Sequence, residues 1–327
     1  MSDLARPDED ASEGGPSPQG TPGRSIAYLG PRGTFTEEAL RAMSVSDGAD
    51  LRPLATAEAV LDAVRAGEAD RGLVAIENSI EGGVTATLDN LASGEPLVIV
   101  DEVVIRVRFA LMARPGTTLP GVRRIATHSV AAAQCRAWAQ TTLPAAEIVP
   151  VSSNAAGAQA VAAGDYDAAL APSIAAEVYG LEILADDVAD NDEAWTRFVL
   201  ISRPGAVPAP TGADKSTLFL YMREDHPGAL LEILTEFSVR GVNLTRIESR
   251  PTRKALGDYY FSVDCEGHVA DARVGEALAG LHRVCAQVRF LGSYPRHDGK
   301  APLLRAGVTD ADYADATAWL ATVRATD

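Results

Sequence analysis

A helix–turn–strand pattern that occurs twice, 97 positions apart, is the feature of this 327-residue sequence that most constrains its fold. Each copy opens on a hydroxyl residue that can cap a helix, Thr56 in the first and Ser153 in the second. A helical stretch follows and stops at Gly67 or Gly164, before an apolar segment typical of a buried strand. Either this likeness is one that any two helix–turn–strand units share, or the chain contains two similar α/β lobes with a ligand-binding cleft between them.

The composition makes several classes of function improbable. A formal net charge of −16 and a pI near 4.7 disfavour a nucleic-acid-binding surface. We expect no membrane span and no signal peptide, because the sequence lacks both a long uncharged apolar run and a basic start followed by an apolar stretch. Three scattered cysteines, Cys135, Cys265 and Cys285, indicate a reducing cytoplasm and not a disulfide framework or a cysteine-ligated zinc site.

Changes in composition divide the chain into five parts. Residues 1–24 are rich in Pro, Gly, Ser and acids, which predicts a disordered tail. Residues 25–203 hold the two candidate lobes, and residues 204–215 predict a Pro-rich linker. Residues 216–296 read in the order β-α-β-β-α-β, which is the ferredoxin-like arrangement. Residues 297–327 predict a C-terminal tail with one short helix.

Polar residues end a buried strand of the first candidate lobe. Glu77, Asn78 and Ser79 stand together there, before a Gly-Gly turn and a new helix. Open α/β sheets bind ligands at the carboxyl ends of their strands, so these residues are candidates for contact with a substrate; a polar cap on a turn is the alternative. The turn Gly30–Gly33 precedes another helix, where it could admit an anion or be only a tight connection.

The second lobe repeats this design. Thr127 and His128 follow a strand, and Gln134 lies about two turns into the next helix. Thr127 and Gln134 could form hydrogen bonds to a ligand, and His128 could act as a base, although a histidine at this position more often caps the helix. We expect no metal, nucleotide cofactor or acyl-enzyme, because no HExxH, CxxC, GxxxxGK[ST] or Ser-His-Asp pattern occurs.

In combination these segments resemble the prephenate dehydratase family, whose enzymes convert prephenate to phenylpyruvate in phenylalanine biosynthesis. The resemblance covers residues 25–296 and includes a C-terminal part similar to the ACT regulatory domain. It implies an α/β fold, with a two-lobed catalytic domain like the type II periplasmic binding proteins and a ferredoxin-like ACT domain. The motifs that carry it are "YLGPRGTFTEEAL", "IENSIEGG", "THSVAAAQC", "GLEILADDVAD", "TRF", "GALLEIL" and "NLTRIESRP".

The resemblance implies that Thr196 is the principal catalytic residue, which donates a hydrogen bond to the departing 4-hydroxyl of prephenate. Arg197 is a candidate clamp for a substrate carboxylate, with a salt bridge to neighbouring acids as the alternative. Glu77 or His128 could supply the proton. The remaining implied substrate-binding residues are Asn78, Ser79, Thr127, Gln134 and Phe198, together with His128.

The ACT resemblance implies feedback regulation by L-phenylalanine, bound where two ACT domains meet. Such a site requires a homo-oligomer, a dimer or a tetramer; ferredoxin-like packing with no effector is the alternative. The implied effector-binding residues are Gly228, Ala229, Leu230, Asn243, Glu248, Ser249 and Arg250.

Two departures from the family pattern and two other functions stay open. The family often has a proline where this chain has Ser129, and it usually has an asparagine where this chain has Glu193 or Ala194, so Asn191 is the nearest one. Arogenate could replace prephenate as the substrate. A non-catalytic amino-acid sensor is also compatible with two lobes and an ACT domain, but it would not need the Thr-Arg-Phe motif.

Overall fold

The computed structural model describes residues 24–191, 193–253 and 258–325. These residues form two α/β lobes and a third domain with a four-stranded sheet. The tail predicted over residues 1–24 lies, apart from Arg24, outside the described residues. None of the helices in the described ranges combines the length and the hydropathy that a bilayer crossing needs.

The chain builds most of the first lobe, crosses to the second lobe and returns with one strand. The elements of the first pass are β1 (Ser25–Leu29), α1 (Phe35–Arg41), β2 (Asp50–Leu54), α2 (Ala57–Ala66), β3 (Arg71–Asn78), β4 (Gly82–Gly83), α3 (Thr85–Ala92) and β5 (Val98–Arg106). The second lobe contains β6 (Ala110–Ala113), β7 (Arg124–Thr127), α4 (Ser129–Gln134), α5 (Arg136–Thr142), β8 (Glu147–Pro150), α6 (Asn154–Ala163), β9 (Ala168–Ala171), α7 (Ile174–Tyr179) and β10 (Glu182–Ala185). The returning strand is β11 (Trp195–Ser202).

The returning strand determines where the two lobes meet. The first sheet has the order β2-β1-β3-β11-β5, with β4 paired to β3, and the second has the order β10-β6-β9-β7-β8. Strand β11 lies antiparallel to both β3 and β5. Its first residues are therefore at the edge where β3 ends and where β5 leaves for the second lobe.

The repeated sequence pattern forms equivalent elements in the two lobes. Helices α2 and α6 each contain 10 residues at the same 97-residue offset. The hydroxyls of Thr56 and Ser153 each accept a 3.0 Å hydrogen bond from the backbone N–H three residues on. Gly67 and Gly164 end the helices with φ of 77° and 97°, a conformation that favours glycine. The prediction of two similar lobes is confirmed.

The third domain has the β-α-β-β-α-β order that its sequence predicts. Its elements are β12 (Asp214–Tyr221), α8 (Ala229–Ser238), β13 (Leu244–Pro251), β14 (Tyr259–Glu266), α9 (Ala272–Val284) and β15 (Gln287–Pro295), after which α10 (Asp310–Arg324) follows. Its sheet has the antiparallel order β13-β14-β12-β15, and α8 and α9 pack on one face of it.

The opposite face of this third sheet packs against the first lobe. A Cβ atom on Gly292 of β15 would clash with the backbone carbonyl of Ile99 in β5, so the two strands are in direct contact. The apolar residues of this face share one buried core with the first lobe, and they are Phe219, Tyr260, Leu291 and Tyr294. Burial of this apolar surface holds the third domain against the lobe.

A cluster of buried charges lies in the same interface. Arg197 projects from β11, with its Nε 2.6 Å from Glu102 and its Nη1 2.5 Å from Asp264 of β14. Lys215 of β12 lies 3.0 Å from Glu102. Burial opposes the charge on Asp264, but Arg197 and Arg246 more than offset that effect and hold its pKa well below the usual range for aspartate.

The low pKa of Asp264 predicts that acid destabilises the protein. The unfolded chain binds the proton first, so the stabilisation is complete above a pH of about 4, the ordinary pKa, and is lost as the pH falls below that value. Asp264→Asn should lower the unfolding free energy at neutral pH by about 3 kcal/mol, because Arg197 loses a buried partner. It should also make the thermal midpoint, measured by calorimetry, less dependent on pH between about 6 and about 3.

Asp315→Asn is the matched control, because it removes an exposed carboxylate from α10. It should keep the pH dependence of the wild type. A pH profile of Asp264→Asn that superimposes on that of the wild type would show that the ion pair does not control acid stability.

Candidate active site

Thr196 lies at the edge of the first sheet, where β3 ends and β11 begins. It pairs with Asn78 of β3 on one side and with Ile105 of β5 on the other. The residue is 9% exposed, and its Oγ1 accepts a 2.9 Å hydrogen bond from Nδ2 of Asn78. The structure thus places these two predicted site residues in direct contact.

A β-bulge in β3 brings the side chain of Asn78 to Thr196. Between Ala75 and Glu77, β3 contains one residue more than the stretch of β11 opposite it. The extra residue shifts the alternation of side chains, so Glu77 lies on the side of Arg197 and Asn78 on the side of Thr196. Strict alternation along β3 would place them the other way round.

The amide of Asn78 is oriented as a donor to Thr196. Its Oδ1 accepts the backbone N–H groups of Ile80 and Glu81, at 2.8 and 3.1 Å. The Nδ2 group therefore points to Thr196, whose oxygen accepts the bond. Among the residues that the structure describes, no acceptor takes the hydroxyl proton of Thr196, so that proton is available to a ligand.

Ser79 fixes the backbone just before Thr196. Its N–H donates to the carbonyl of Trp195, and its Oγ accepts the N–H of Trp195, both at 2.9 Å. The hydroxyl that the resemblance assigned to substrate binding therefore extends the pairing of β3 with β11.

Arg197 points away from Thr196, to the opposite face of the sheet. Its Nε, Nη1 and Nη2 donate to Glu102, Asp264 and Tyr294 at 2.6, 2.5 and 2.8 Å. The residue is 7% exposed and lies in the domain interface, which corrects the expectation that it clamps a substrate carboxylate. The alternative, a salt bridge, is the arrangement found, but its acids are distant in the sequence and not the neighbouring ones.

Two further predicted residues also lie away from the Thr196 hydroxyl. Glu77 is on the face of Arg197, with its carboxylate 3.3 Å from Nη1 of that residue, so the sheet separates it from the hydroxyl. This placement argues against Glu77 as the proton source. Phe198 is 2% exposed and packs in the core with Tyr28 and Leu40, so it contributes packing beneath Thr196.

The predicted residues of the second lobe form a separate hydrogen-bonded set. The hydroxyl of Thr127 lies 2.8 Å from the carbonyl of Leu170 and 3.1 Å from Oδ1 of Asn154, which also accepts the N–H of His128 at 3.0 Å. Nδ1 of His128 accepts the N–H of Val130 at 3.3 Å, so His128 caps α4 through that nitrogen. Asn154 was not among the predicted residues, because helix α5 and strand β8 separate it from the motif.

Gln134 anchors the segment that leads back to β11. It is half-buried at the end of α4, and its backbone carbonyl accepts the N–H of Asp190 at 2.6 Å. Asn191 accepts the N–H of Glu193 at 2.9 Å and closes its own turn. In residues 24–191, 193–253 and 258–325, no cluster of three or more His, Cys, Asp or Glu suits a metal ion.

The turn Gly30–Gly33 is a contact between the lobes. Gly33 has a φ of 81° and lies against α7, and the Tyr179 hydroxyl donates to the carbonyl of Arg32 at 2.7 Å. The N–H of Gly33 is already bonded to the buried carboxylate of Glu37 at 2.6 Å. The structure therefore favours a tight connection over an open anion site, and Glu37 is a second residue that the sequence analysis missed.

An open cavity of about 850 Å³ lies at the start of β11, where Trp195, and not Thr196 itself, lines it. Ile105, the cross-strand partner of Thr196, is in its wall beside Trp195. Arg106 and Arg108 line the same cavity, and the side chain of Arg108 is 53% exposed. Both arginines lie near the carboxylate of Asp187, at 3.9 and 4.0 Å, and they share the cavity with Glu38 and Glu193, so its wall carries charges of both signs.

A second cavity, of about 530 Å³, lies on the third domain. It is lined by the beginning of α8, by Tyr259 and Phe261 of β14, and by four of the residues that the resemblance assigned to effector binding: Gly228, Ala229, Leu230 and Ser249.

The other three implied effector residues lie outside this lining. Glu248 and Arg250 alternate onto the face of β13 that packs on the first lobe, where Arg250 pairs with Asp89 at 2.8 Å. Asn243 precedes β13, and its carbonyl accepts the N–H of Glu266 at 2.9 Å. The period of two along β13 explains why only Ser249 of the "ESR" motif reaches the cavity.

Comparison with known proteins agrees with this architecture. The model of the prephenate dehydratase family matches residues 26–206, and that of the ACT domain matches residues 216–283. The prephenate dehydratase of Mycolicibacterium vanbaalenii is 51% identical over 292 residues, which is 85% of this chain and 93% of that protein.

Solved structures agree with the sequence relatives. The prephenate dehydratase of Arthrobacter aurescens, in complex with L-Phe, is 51% identical with a TM-score of 0.86, over 92% of this chain and 100% of that one. A protein described as the quorum-quenching acylase GqqA is 34% identical with a TM-score of 0.76, over 83% of this chain and 98% of that one. The matched family models and the extent of these likenesses show that the chain belongs to the prephenate dehydratase family, with a C-terminal ACT domain.

Proposed function

We propose that this prephenate dehydratase carries out its reaction at the sheet edge formed by Asn78 and Thr196. The observation that carries the proposal is the geometry of the Thr196 hydroxyl, which accepts a hydrogen bond from Asn78 and keeps its own proton for a ligand. Three buried free cysteines are in keeping with a cytoplasmic enzyme.

The chemistry of prephenate explains why a hydrogen-bond donor is needed at its 4-hydroxyl. The ring carboxylate leaves as carbon dioxide, its bonding electrons enter the ring, and the C–O bond to the 4-hydroxyl breaks, so negative charge develops on the departing oxygen. A hydrogen bond from Thr196 becomes stronger as that charge grows and lowers the barrier. The bond from Asn78 polarises the hydroxyl and makes it a better donor.

A threonine hydroxyl is too weak an acid to give up its proton, so another group must protonate the departing oxygen to form water. Glu77 lies on the far side of the sheet. His128 belongs to the second lobe, and its Nε2 has no hydrogen-bond partner among the described residues. We therefore assign the proton to solvent, delivered through a water molecule that Nε2 of His128 holds.

The substrate is a dianion, whereas the protein has a net charge of −16, so local cations must attract it. Arg106 and Arg108 line the cavity beside Ile105 and take the role that Arg197 cannot fill. A guanidinium group can bind a carboxylate through two parallel hydrogen bonds.

We assign regulation by L-phenylalanine to the cavity between α8 and the β13–β14 strands. The A. aurescens relative was crystallised with L-Phe, and the cavity combines backbone at Gly228 with the rings of Tyr259 and Phe261. Leu231 and Ile247 on this side of the domain are 66% and 44% exposed. A second ACT domain would cover them, which favours a homo-oligomer.

Other functions are distinguished by assay. Arogenate differs from prephenate in its side chain, so a comparison of kcat/KM for the two acids decides the preference. A sensor would bind prephenate without forming phenylpyruvate. Acylase chemistry is not favoured, because among the described residues neither Thr196 nor Ser79 is hydrogen-bonded to a histidine or a carboxylate.

Replacement of Thr196 tests its role most simply. Thr196→Val keeps the shape of the side chain but removes the donor, and it should lower kcat for phenylpyruvate formation by about 10²–10³-fold. Thr196→Ser is the control, because it keeps the hydroxyl, and it should retain kcat within about tenfold. Turnover by Thr196→Val close to that of the wild type would remove this hydroxyl from the mechanism.

Replacement of Arg108 tests the substrate site. Arg108→Gln should raise KM for prephenate on the order of tenfold with a smaller effect on kcat, because it weakens binding in the ground state and the transition state alike. Arg305→Gln makes the same charge change at an exposed position after the ACT domain and should leave KM unchanged. Equal KM values for the two variants would move the substrate away from this cavity.

Replacement of Gly228 tests the effector site. Gly228 has a φ of 97°, so Gly228→Val adds both a side chain and backbone strain at the cavity, and inhibition by L-phenylalanine should be lost while basal activity stays. Gly212→Val introduces comparable strain at a φ of 84° outside the cavity and should leave the inhibition intact. If both variants respond to phenylalanine like the wild type, the effector binds elsewhere.

A further inference from the structure

The side chain that follows Thr196 belongs to the interface with the ACT domain. Arg197 is the next residue of β11, and two of its four acceptors, Asp264 and Tyr294, come from the ACT sheet. The other two, Glu77 and Glu102, come from the first lobe, and Glu102 is itself bound by Lys215 of the ACT domain at 3.0 Å. The strand that carries Thr196 is thus tied to the other domain one residue away from the hydroxyl.

The ACT partners of Arg197 are fixed in place. Asp264 is fully buried, and its carboxylate also accepts from Thr217 at 2.8 Å and from Arg246 at 3.0 Å. Tyr294 is fully buried, and its hydroxyl is 2.5 Å from that of Thr217. A guanidinium group held by such partners has one position, because buried hydrogen-bonded networks are rigid when every member is satisfied.

Main-chain pairing with β3 and β5, together with two bonds between Ser79 and Trp195, also holds this end of β11. Trp195, its first residue, is 46% exposed, and the bulge in β3 interrupts the regular pairing next to Arg197. On the opposite face, Thr196 is held by the single bond from Asn78. The ion pair and hydrogen bond of Arg197 therefore add a restraint next to Thr196 that comes from the other domain.

We propose that Arg197 is a positioning residue through which the ACT domain, by way of Asp264 and Tyr294, holds Thr196 in its catalytic orientation. The inference rests on the proposed role of Thr196. It makes the ACT domain part of the active-site framework, in addition to any effector that it binds.

The test compares variants of the full chain at a temperature where each is folded, as judged by circular dichroism. Asp264→Asn weakens the hold on Arg197, and Tyr294→Phe removes the hydroxyl that bonds Arg197 and Thr217 without a change of charge. Asp264→Asn should lower kcat for prephenate about 10–100-fold and leave KM within about twofold, because a displaced donor impairs the transition state and not binding. Tyr294→Phe should show the same pattern with a smaller decrease, and it serves as the test if Asp264→Asn does not fold.

Arg289→Gln is the matched control at the same interface. Arg289 of β15 donates to the backbone carbonyls of Ala92 and Gly94 at 3.0 and 3.1 Å, at the end of α3 and away from β11. This variant should lose thermal stability but keep the kcat of the wild type. A decrease in kcat equal to that of Asp264→Asn would mean that general loosening of the interface, and not the link to Thr196, slows the reaction.

A double variant separates positioning from other effects. If Asp264 acts through Thr196, then Thr196→Val with Asp264→Asn should be no slower than Thr196→Val alone, within about twofold. Multiplicative losses, or a wild-type kcat in folded Asp264→Asn and Tyr294→Phe, overturn the inference while Thr196→Val remains slow. Near-normal turnover by Thr196→Val overturns the proposed function and this inference together.

Discussion

The architecture depends on a buried guanidinium group, that of Arg197, which four acceptors hold between two domains. A charge in such a place is costly unless it is paired, and here Glu77, Glu102, Asp264 and Tyr294 accept hydrogen bonds from its three nitrogens. The apolar face of the ACT sheet supplies the surface that excludes water around the cluster. The bonds of Arg197 and the apolar contact together hold the ACT domain on the first lobe, and they do so at the strand that carries Thr196.

Because side chains alternate along β11, neighbouring residues of this strand face opposite sides of the sheet. Arg197 faces the domain interface, so Thr196 must face the other side. The bulge in β3 turns Asn78 to that side as well, and the turn after it orients the amide as a donor. The result is a hydroxyl that accepts a bond from Asn78 and keeps its own proton unbonded among the described residues. Under the proposed function, that proton forms the one hydrogen bond that a departing hydroxide needs as its charge grows.

The sequence predicted those parts that local rules determine. Periodicity and capping signals predict the helices after Thr56 and Ser153, the glycines that end them, and the order of helices and strands along the third domain. The structure has each of these where the pattern indicated. The pairing of Asn78 with Thr196 could be expected because both stand at polar strand ends.

The remaining features depend on contacts between distant residues. Nothing near Arg197 in the sequence indicates that its partner is Asp264, in another domain, so a nearby carboxylate of the substrate was the natural expectation. The bulge that reverses Glu77 and Asn78 leaves no signal in "VAIEN", and Asn154 contacts a motif to which it does not belong. On β13, alternation sends Glu248 and Arg250 to the first lobe, although the motif reads as one unit.

The central claim is that the hydroxyl of Thr196 meets the oxygen that departs from prephenate. A crystal structure with an unreactive analogue, in which the ring carries the 4-hydroxyl but cannot become aromatic, tests it most directly. We predict that Oγ1 of Thr196 lies within about 3 Å of the 4-hydroxyl oxygen, with Arg197 still bound to Asp264. An analogue whose 4-hydroxyl points to Glu77 or to solvent, beyond hydrogen-bond distance from Thr196, would contradict the account.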